Sequence, residues 1–221
     1  MISHKHKLIF IHIPKCAGTS IEIALGLTPR DAPFGYQDHR TLVDHQPVSW
    51  RHLLTQPGIN SYFRKRKYRR HPNPSVKAAV TTRQFQDYRK FAVIRDPWSR
   101  ALSFYNSTND ASASERADPH ERKLGFYRFL QANIGRGFLK SQLHWLQKVD
   151  GTLGVDTLLR FDSLQTEWSS FTKDLGVVLN LPHTLHRNAF AQHDLFTDEA
   201  ALLVEEFYSA EIDRFSFQYP Y

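Results

Sequence analysis

The segment Leu8-Ile9-Phe10-Ile11-His12-Ile13-Pro14-Lys15-Cys16-Ala17-Gly18-Thr19-Ser20-Ile21-Glu22 joins a β-branched apolar run directly to a loop of small residues carrying one lysine. Residues 8–13 read as a buried strand of a parallel sheet, because strands covered on both faces show near-continuous apolar runs. Pro14 ends that strand. Ile21, Ala24 and Leu25 follow at helical spacing, so the chain must turn from strand to helix within residues 14–20. Gly18 lets the backbone approach a ligand, and Thr19 and Ser20 are expected to cap the helix and aim hydroxyl and N–H groups at an anion. Lys15 adds a full positive charge beside the partial charge of a helix N-terminus. The lysine precedes the glycine, unlike the G-x-x-x-x-G-K-[ST] order, which argues against a nucleoside triphosphate hydrolase. Read alone, the segment is either an anion-binding strand-loop-helix or an ordinary turn with an exposed lysine.

A second unit of the same design follows in Phe91-Ala92-Val93-Ile94-Arg95-Asp96-Pro97-Trp98-Ser99-Arg100-Ala101-Leu102-Ser103-Phe104-Tyr105. Asp96 reads as an N-cap and Pro97 as the first helical residue, with Trp98, Ala101, Leu102 and Tyr105 on one apolar face. Arg95 falls at the carboxyl end of the strand, where ligands of open α/β sheets gather. Ser103 lies two turns into the helix. Arg100 is equally readable as a structural partner for Asp96. Two such units, each with a cation and hydroxyls, suit a ligand with two separated anionic groups.

The pair P-K-x-x-G-T-S and R-D-P-x-x-R-x-x-S-x-Y, in that order, resembles the two donor-binding motifs of sulfotransferases that use 3′-phosphoadenosine 5′-phosphosulfate, especially the carbohydrate sulfotransferases and their bacterial relatives. The likeness continues at Leu158-Leu159-Arg160-Phe161-Asp162-Ser163-Leu164, at residues 181–188 and at residues 206–217, and is weakest in the middle of the chain. The resemblance implies that Lys15, Cys16, Ala17, Gly18, Thr19 and Ser20 hold the 5′-phosphosulfate. It also implies that Arg95 and Ser103, with Arg187 as a later contact, hold the 3′-phosphate. An acceptor hydroxyl would attack sulfur in line, with Lys15 neutralising charge on the bridging oxygen and no metal required.

That chemistry needs a proton acceptor, and the chain has twelve histidines. The family often places its base between the two motifs, where this chain offers His39, His45, His52 and His71. His39 is the first choice, since a similar histidine followed by a hydroxyl residue occurs in bacterial relatives, and His45 is the second. Asp38 or Asp44 is the expected orienting carboxylate. His12, inside the first strand and just before the loop, reads first as a packing residue and second as a residue facing the ligand.

The length of 221 residues allows a sizeable core and suits a single domain, residues 1–221. The net charge of +7 favours anionic partners, whether a charged nucleotide, an acidic glycan or nucleic acid. Much of that charge sits in Phe63-Arg64-Lys65-Arg66-Lys67-Tyr68-Arg69-Arg70-His71-Pro72. The run reads first as a solvated loop or helix end, then as a lid over the donor or a rim for an acidic acceptor; a nucleic-acid contact would also look like this. Cys16, the single cysteine, cannot close an intramolecular disulfide, and no histidine–acid trio marks it as a nucleophile. No apolar run approaches the roughly 18 residues of a membrane span, and the first seven residues are not a signal peptide. With a native-looking Met1, a soluble cytoplasmic protein is expected.

Elsewhere the pattern is that of scaffold. Residues 106–122 read as an exposed polar loop, and residues 124–145 as two helices joined at Gly135 and Gly137. Gln142 and Trp145 read as residues that could meet donor or acceptor, with Trp145 read chiefly as an interior aromatic. Residues 157–161 read as a strand, with Asp162 capping a helix that ends at Gly176, and Thr197 caps a last helix. His183, His186 and His193 match no zinc template.

The expected fold is a three-layer, P-loop-like α/β domain with a mostly parallel central sheet flanked by helices. The expected activity is sulfuryl transfer to a hydroxyl of a glycan or glycolipid, with no metal and no nucleic-acid partner. The rivals are a nucleotide or small-molecule kinase, which would need magnesium and ATP, and a non-catalytic protein that binds nucleic acid or another polyanion through residues 64–70.

Overall fold

The computed structural model describes residues 1–33, 35–108, 118–182 and 192–221. The chain divides into two compact units, Met1–Ile94 with Gln142–Thr184, and Arg95–Ser141 with Leu185–Tyr221. The first unit holds a four-stranded sheet, β1 (Ile2–Ser3), β2 (Leu8–Ile11), β3 (Arg89–Ile94) and β4 (Thr157–Arg160), in that spatial order. β1 runs antiparallel to β2, whereas β2 with β3 and β3 with β4 are parallel. Parallel neighbours require long crossovers. Between β2 and β3 the chain forms α1 (Gly18–Ala24), α2 (Leu42–His45), α3 (Gln56–Tyr68), α4 (Pro74–Lys77) and α5 (Thr82–Asp87). Between β3 and β4 it forms α6 (Pro97–Thr108), α7 (Pro119–Asn133) and α8 (Gln142–Leu146), and α9 (Leu164–Asp174) follows β4. The architecture is therefore mixed α/β, with a mostly parallel sheet flanked by helices.

Every residue of β2 is buried, as is β3 from Lys90 to Ile94, which accounts for their unbroken apolar runs. Phe91 is the hub of this core: its ring lies 5.0 Å from Phe10, 4.7 Å from Phe171 and 6.2 Å from Trp168. Trp168 satisfies its buried indole N–H by donating to the Leu179 carbonyl at 2.6 Å. β2 ends at Ile11, two residues before the expected boundary, because Ile13 N–H folds back onto the Ile11 carbonyl at 3.1 Å. That turn takes His12 out of the ladder and frees its ring to face the loop ahead.

Other boundaries differ by small amounts with identifiable causes. β4 ends at Arg160 rather than 161, although Phe161 N–H still donates to the Ile94 carbonyl at 2.8 Å. The N-cap of α9 is Ser163 rather than Asp162. Glu167 ties the strand end to the helix start, accepting from Arg160 N–H at 2.7 Å and Ser163 Oγ at 2.6 Å. The polar loop expected over residues 106–122 is entered by α6, which runs to Thr108, and left by α7, which starts at Pro119; residues 109–117 lie outside the described residues.

The second unit packs α6, α7 and α10 (Asp198–Phe215) together. Tyr105 meets Phe126 and Phe129 edge-on, each at 5.1 Å, and Trp98 Nε1 donates to the Ala201 carbonyl at 3.0 Å. Arg100 is fully buried, and its guanidinium donates to the carbonyls of Phe138 at 2.6 Å and Lys140 at 2.9 Å. It clamps the turn after α7. Thr197 caps α10 as expected, accepting from Ala200 N–H at 3.3 Å. Because Phe91 fills the junction between sheet and α9, Phe91→Ala should cost about 3–5 kcal/mol of unfolding free energy; a urea titration showing less than about 1 kcal/mol would contradict this core assignment.

Candidate active site

The loop between β2 and α1 takes its shape from two residues with left-handed backbone, Lys15 at φ 68° and Ala17 at φ 57°. Such residues at alternate positions turn successive N–H groups toward one concave side, a geometry that favours anions. Ala17, not Thr19 or Ser20, is the N-cap of α1, and it contributes no side-chain hydrogen bond. Thr19 and Ser20 instead occupy the first turn, half-buried, and Lys15 is half-buried beside them. Cys16 points inward: its thiol is buried and lies 3.7 Å from both the Pro14 carbonyl and Gln142 Oε1. Any contact of Cys16 with a loop ligand therefore falls to its backbone.

Gly18 is required by its neighbour rather than by its own backbone angle. A Cβ at this position would lie 1.9 Å from His12 Cδ2 and 2.0 Å from Nε2. The His12 ring thus rests directly on the loop, held from behind by Nδ1, which donates to Glu22 Oε1 at 2.6 Å. Glu22 is wholly buried, and also accepts from Thr28 Oγ1 at 2.9 Å and Asp38 N–H at 3.1 Å. His39 stands on the other side of His12, ring centroids 4.3 Å apart, with Trp145 at 6.5 Å. His12 is buried and packs as expected, and it also stands in the middle of a Glu22–His12–His39 row.

The carboxylates expected to orient His39 are engaged elsewhere. Asp38 takes a bidentate grip from Arg40, Nε at 2.9 Å and Nη2 at 2.8 Å, and lies 3.2 Å from the Met1 amino group. Asp44 closes the capping box of α2 and pairs with Arg64 at 2.9 Å. His45, the second candidate base, is buried with Nε2 3.3 Å from the Met1 amino nitrogen. His52 caps the 3₁₀ turn Trp50–Leu54, accepting from Ser49 N–H at 3.2 Å. Glu22 instead reaches His12, the ring against which His39 lies, and both Glu22 and Asp38 act on His39 through their charge. No sequence period links Glu22 to His12, because the chain turns and changes from strand to helix between them.

Electrostatics follow from this burial. Desolvation lowers His39 to about 3, the charge of His12 adds to the effect, and Glu22 partly opposes it. Desolvation likewise holds His45 well below the usual histidine range, assisted by the Met1 amino group and Arg40. Burial pushes Glu22 upward, but the charge and hydrogen bond of His12 outweigh it and leave the carboxyl below its ordinary value. Asp38 is held well below its ordinary value against burial by the Met1 amino group and Arg40.

The second motif lies in the second unit. Asp96 caps α6 as expected, accepting from Ser99 N–H at 2.7 Å and from the Ser99 hydroxyl. Arg95 Nε donates to Ser99 Oγ at 2.9 Å. Ser103 is half-buried one turn beyond Ser99, on the same helical face. Ser99 is thus a residue that the motif reading passed over. Arg187, with His183, His186 and Asn188, lies outside the described residues. Among the described residues no group of three or more His, Cys, Asp or Glu could hold a metal ion, and no helix is long and apolar enough to cross a membrane.

A family model described as the sulfotransferase family matches residues 1–218. The chain belongs to the sulfotransferase family. No curated protein and no solved structure matches it. Sulfotransferase membership assigns sulfuryl transfer as the activity, and implies a sulfonate donor and a hydroxyl-bearing acceptor. In this sulfotransferase the first motif is built around a histidine pair backed by a buried glutamate.

Gly18→Ala should cost about 1–3 kcal/mol by overpacking, and markedly less in a His12→Ala background. Equal costs in the two backgrounds, measured as a double-mutant cycle, would contradict the contact. For pH, His39 and His45 take up protons less readily folded than unfolded, so their contribution to stability is intact above their ordinary value of 6.5. It should fall as pH drops below that value. Glu22, depressed from 4.5, should add a second loss as pH drops below its ordinary value. Urea midpoints measured from neutral to acid pH check both limbs, and His39→Gln should flatten the first.

Proposed function

We propose that this chain transfers a sulfuryl group from 3′-phosphoadenosine 5′-phosphosulfate to a hydroxyl of a carbohydrate acceptor, glycan or glycolipid, with His39 as base. The family match over 1–218 supports sulfuryl transfer. The observation that carries the assignment of roles is the juxtaposition of the Lys15 loop with the Glu22–His12–His39 row, joined where His12 rests on Gly18. In this reading the loop from Lys15 through Cys16, Ala17, Gly18, Thr19 and Ser20 binds the 5′-phosphosulfate. Arg95, Ser103 and Arg187 bind the 3′-phosphate. We also assign residues 1–221 to one three-layer, P-loop-like domain in the cytoplasm.

The acceptor oxygen attacks sulfur as the bond from sulfur to the bridging phosphate oxygen breaks, and the hydroxyl proton passes to His39. Adenosine 3′,5′-bisphosphate leaves with the electron pair. His39 is neutral at pH 7, as a proton acceptor must be. An incoming anionic donor raises its basicity, since a nearby negative charge favours the imidazolium. Glu22, acting through His12, positions the pair and opposes the positive charge that forms. Lys15 and the loop N–H groups supply the charge stabilisation of the leaving oxygen, so the scheme uses no metal.

Thermal unfolding with adenosine 3′,5′-bisphosphate tests the donor. At about 100 times the dissociation constant, binding adds about 2.7 kcal/mol, and Lys15→Ala and Arg95→Ala should each diminish the shift. Stabilisation only by ATP with magnesium would establish a kinase and sink the assignment. Once an acceptor is found by sulfate transfer to a glycan panel, Lys15→Ala should lower kcat about 10²- to 10³-fold. His39→Gln should lower it about 10²- to 10⁴-fold while leaving the bisphosphate shift intact.

A further inference from the structure

The basic run takes part in none of this chemistry, and the structure shows why its composition is unusual. α3 is inverted relative to an ordinary surface helix, which turns its apolar stripe inward. Its buried positions are small: Gly58, where a Cβ would lie 2.3 Å from the His52 carbonyl oxygen, and Ser61, whose hydroxyl donates to the Val43 carbonyl at 3.0 Å. The bulk lies outside. Six of the eleven exposed large apolar side chains among the described residues fall between 48 and 63: Val48, Trp50, Leu53, Leu54, Tyr62 and Phe63. Leu54 is 71% exposed, Trp50 66% and Phe63 63%.

Charge adjoins this apolar surface. Arg64 and Lys65 turn inward, to Asp44 and to the Gln46 carbonyl. Arg66, Lys67, Arg69 and Arg70 are exposed at the end of the same helix. No Asp or Glu occurs between Asp44 and Asp87, so nothing in this stretch of chain offsets them.

We propose that the outer face of the Trp50–Leu54 turn and α3 is a peripheral docking surface for an anionic lipid bilayer, inserting its apolar side chains while the cations meet the headgroups. Aromatic and leucine side chains beside a cluster of Lys and Arg are what an interfacial helix presents to such a surface. A polyanion such as RNA or an acidic glycan would use the cations but leave Leu53 and Leu54 in water. Pairing of this stretch with the same stretch of a second copy would bury the apolar side chains but offer the four cations no acid, since none occurs between Asp44 and Asp87. An anionic bilayer accounts for both the apolar and the charged half, and the element lies on the membrane without crossing it.

The test is co-sedimentation of the full chain with vesicles of equimolar phosphatidylcholine and phosphatidylglycerol, against phosphatidylcholine alone. Binding should require the anionic lipid. It should fall about tenfold or more both in Leu54→Glu/Phe63→Glu and in Arg66→Glu/Arg70→Glu, with melting temperature and the bisphosphate shift unchanged. No binding to anionic vesicles would overturn the proposal. So would a Leu54→Glu/Phe63→Glu variant that binds vesicles normally while heparin or RNA binding depends on Arg66 and Arg70, which would identify a polyanion site. A concentration-dependent dimer abolished by Leu54→Glu would assign the face to a second copy instead.

Discussion

The first unit is organised around the carboxylate of Glu22. A wholly buried charge is tolerable only when its lone pairs are met by good donors, and here the donors come from three separate stretches of chain: His12 after β2, Thr28 after α1 and the backbone of Asp38. One side chain therefore joins the end of a strand, a helix and the loop that delivers His39. Asp38 extends the same network through Arg40, whose Nη1 reaches the Ala78 carbonyl at 2.9 Å. The loop over residues 38–41 is thereby held by buried ionic contacts although it belongs to no sheet.

This network also sets what the histidines can do. His12 cannot rotate without abandoning Glu22, and it cannot retreat from Gly18, so the ring is held between loop and carboxylate. His39 lies tilted against a partner fixed in this way. A desolvated imidazole beside another imidazole resists protonation, whereas a buried carboxylate one residue behind favours it. The balance lowers His39 to about 3 and leaves it neutral at pH 7. In the second unit the buried cation Arg100 plays the structural part, satisfied by two carbonyls, while Arg95 remains half-buried at the head of α6.

Much of the scaffold was legible because it is local. The apolar runs of β2 and β3, the Asp96 cap with Pro97 behind it, and the Thr197 cap of α10 each arise from neighbours within a few residues. The misplaced details also have local causes: a strand shortened by the Ile13–Ile11 turn, and a loop whose N-cap is a left-handed Ala17 that no cap rule selects. The functional pairings were less legible. Asp38 and Asp44 stood next to the candidate histidines in sequence but were drawn off by Arg40 and Arg64, while the carboxylate bonded to His12, the neighbour of His39, sits seventeen positions before His39. The exposed bulk of α3 was hidden for the same reason, since periodicity locates a stripe but not the side it faces.

The sequence by itself determined the two strand-loop-helix units, their cations and hydroxyls, and through these motifs membership of the sulfotransferase family, because backbone preferences and binding loops are written in contiguous residues. Tertiary structure alone decided that Gly18 exists to seat His12, that Glu22 lies behind it, that His45 is walled in and that α3 turns its bulk outward. Each of these is settled by which buried group reaches a partner first. That competition is decided across tens of residues, where sequence separation carries no information about distance.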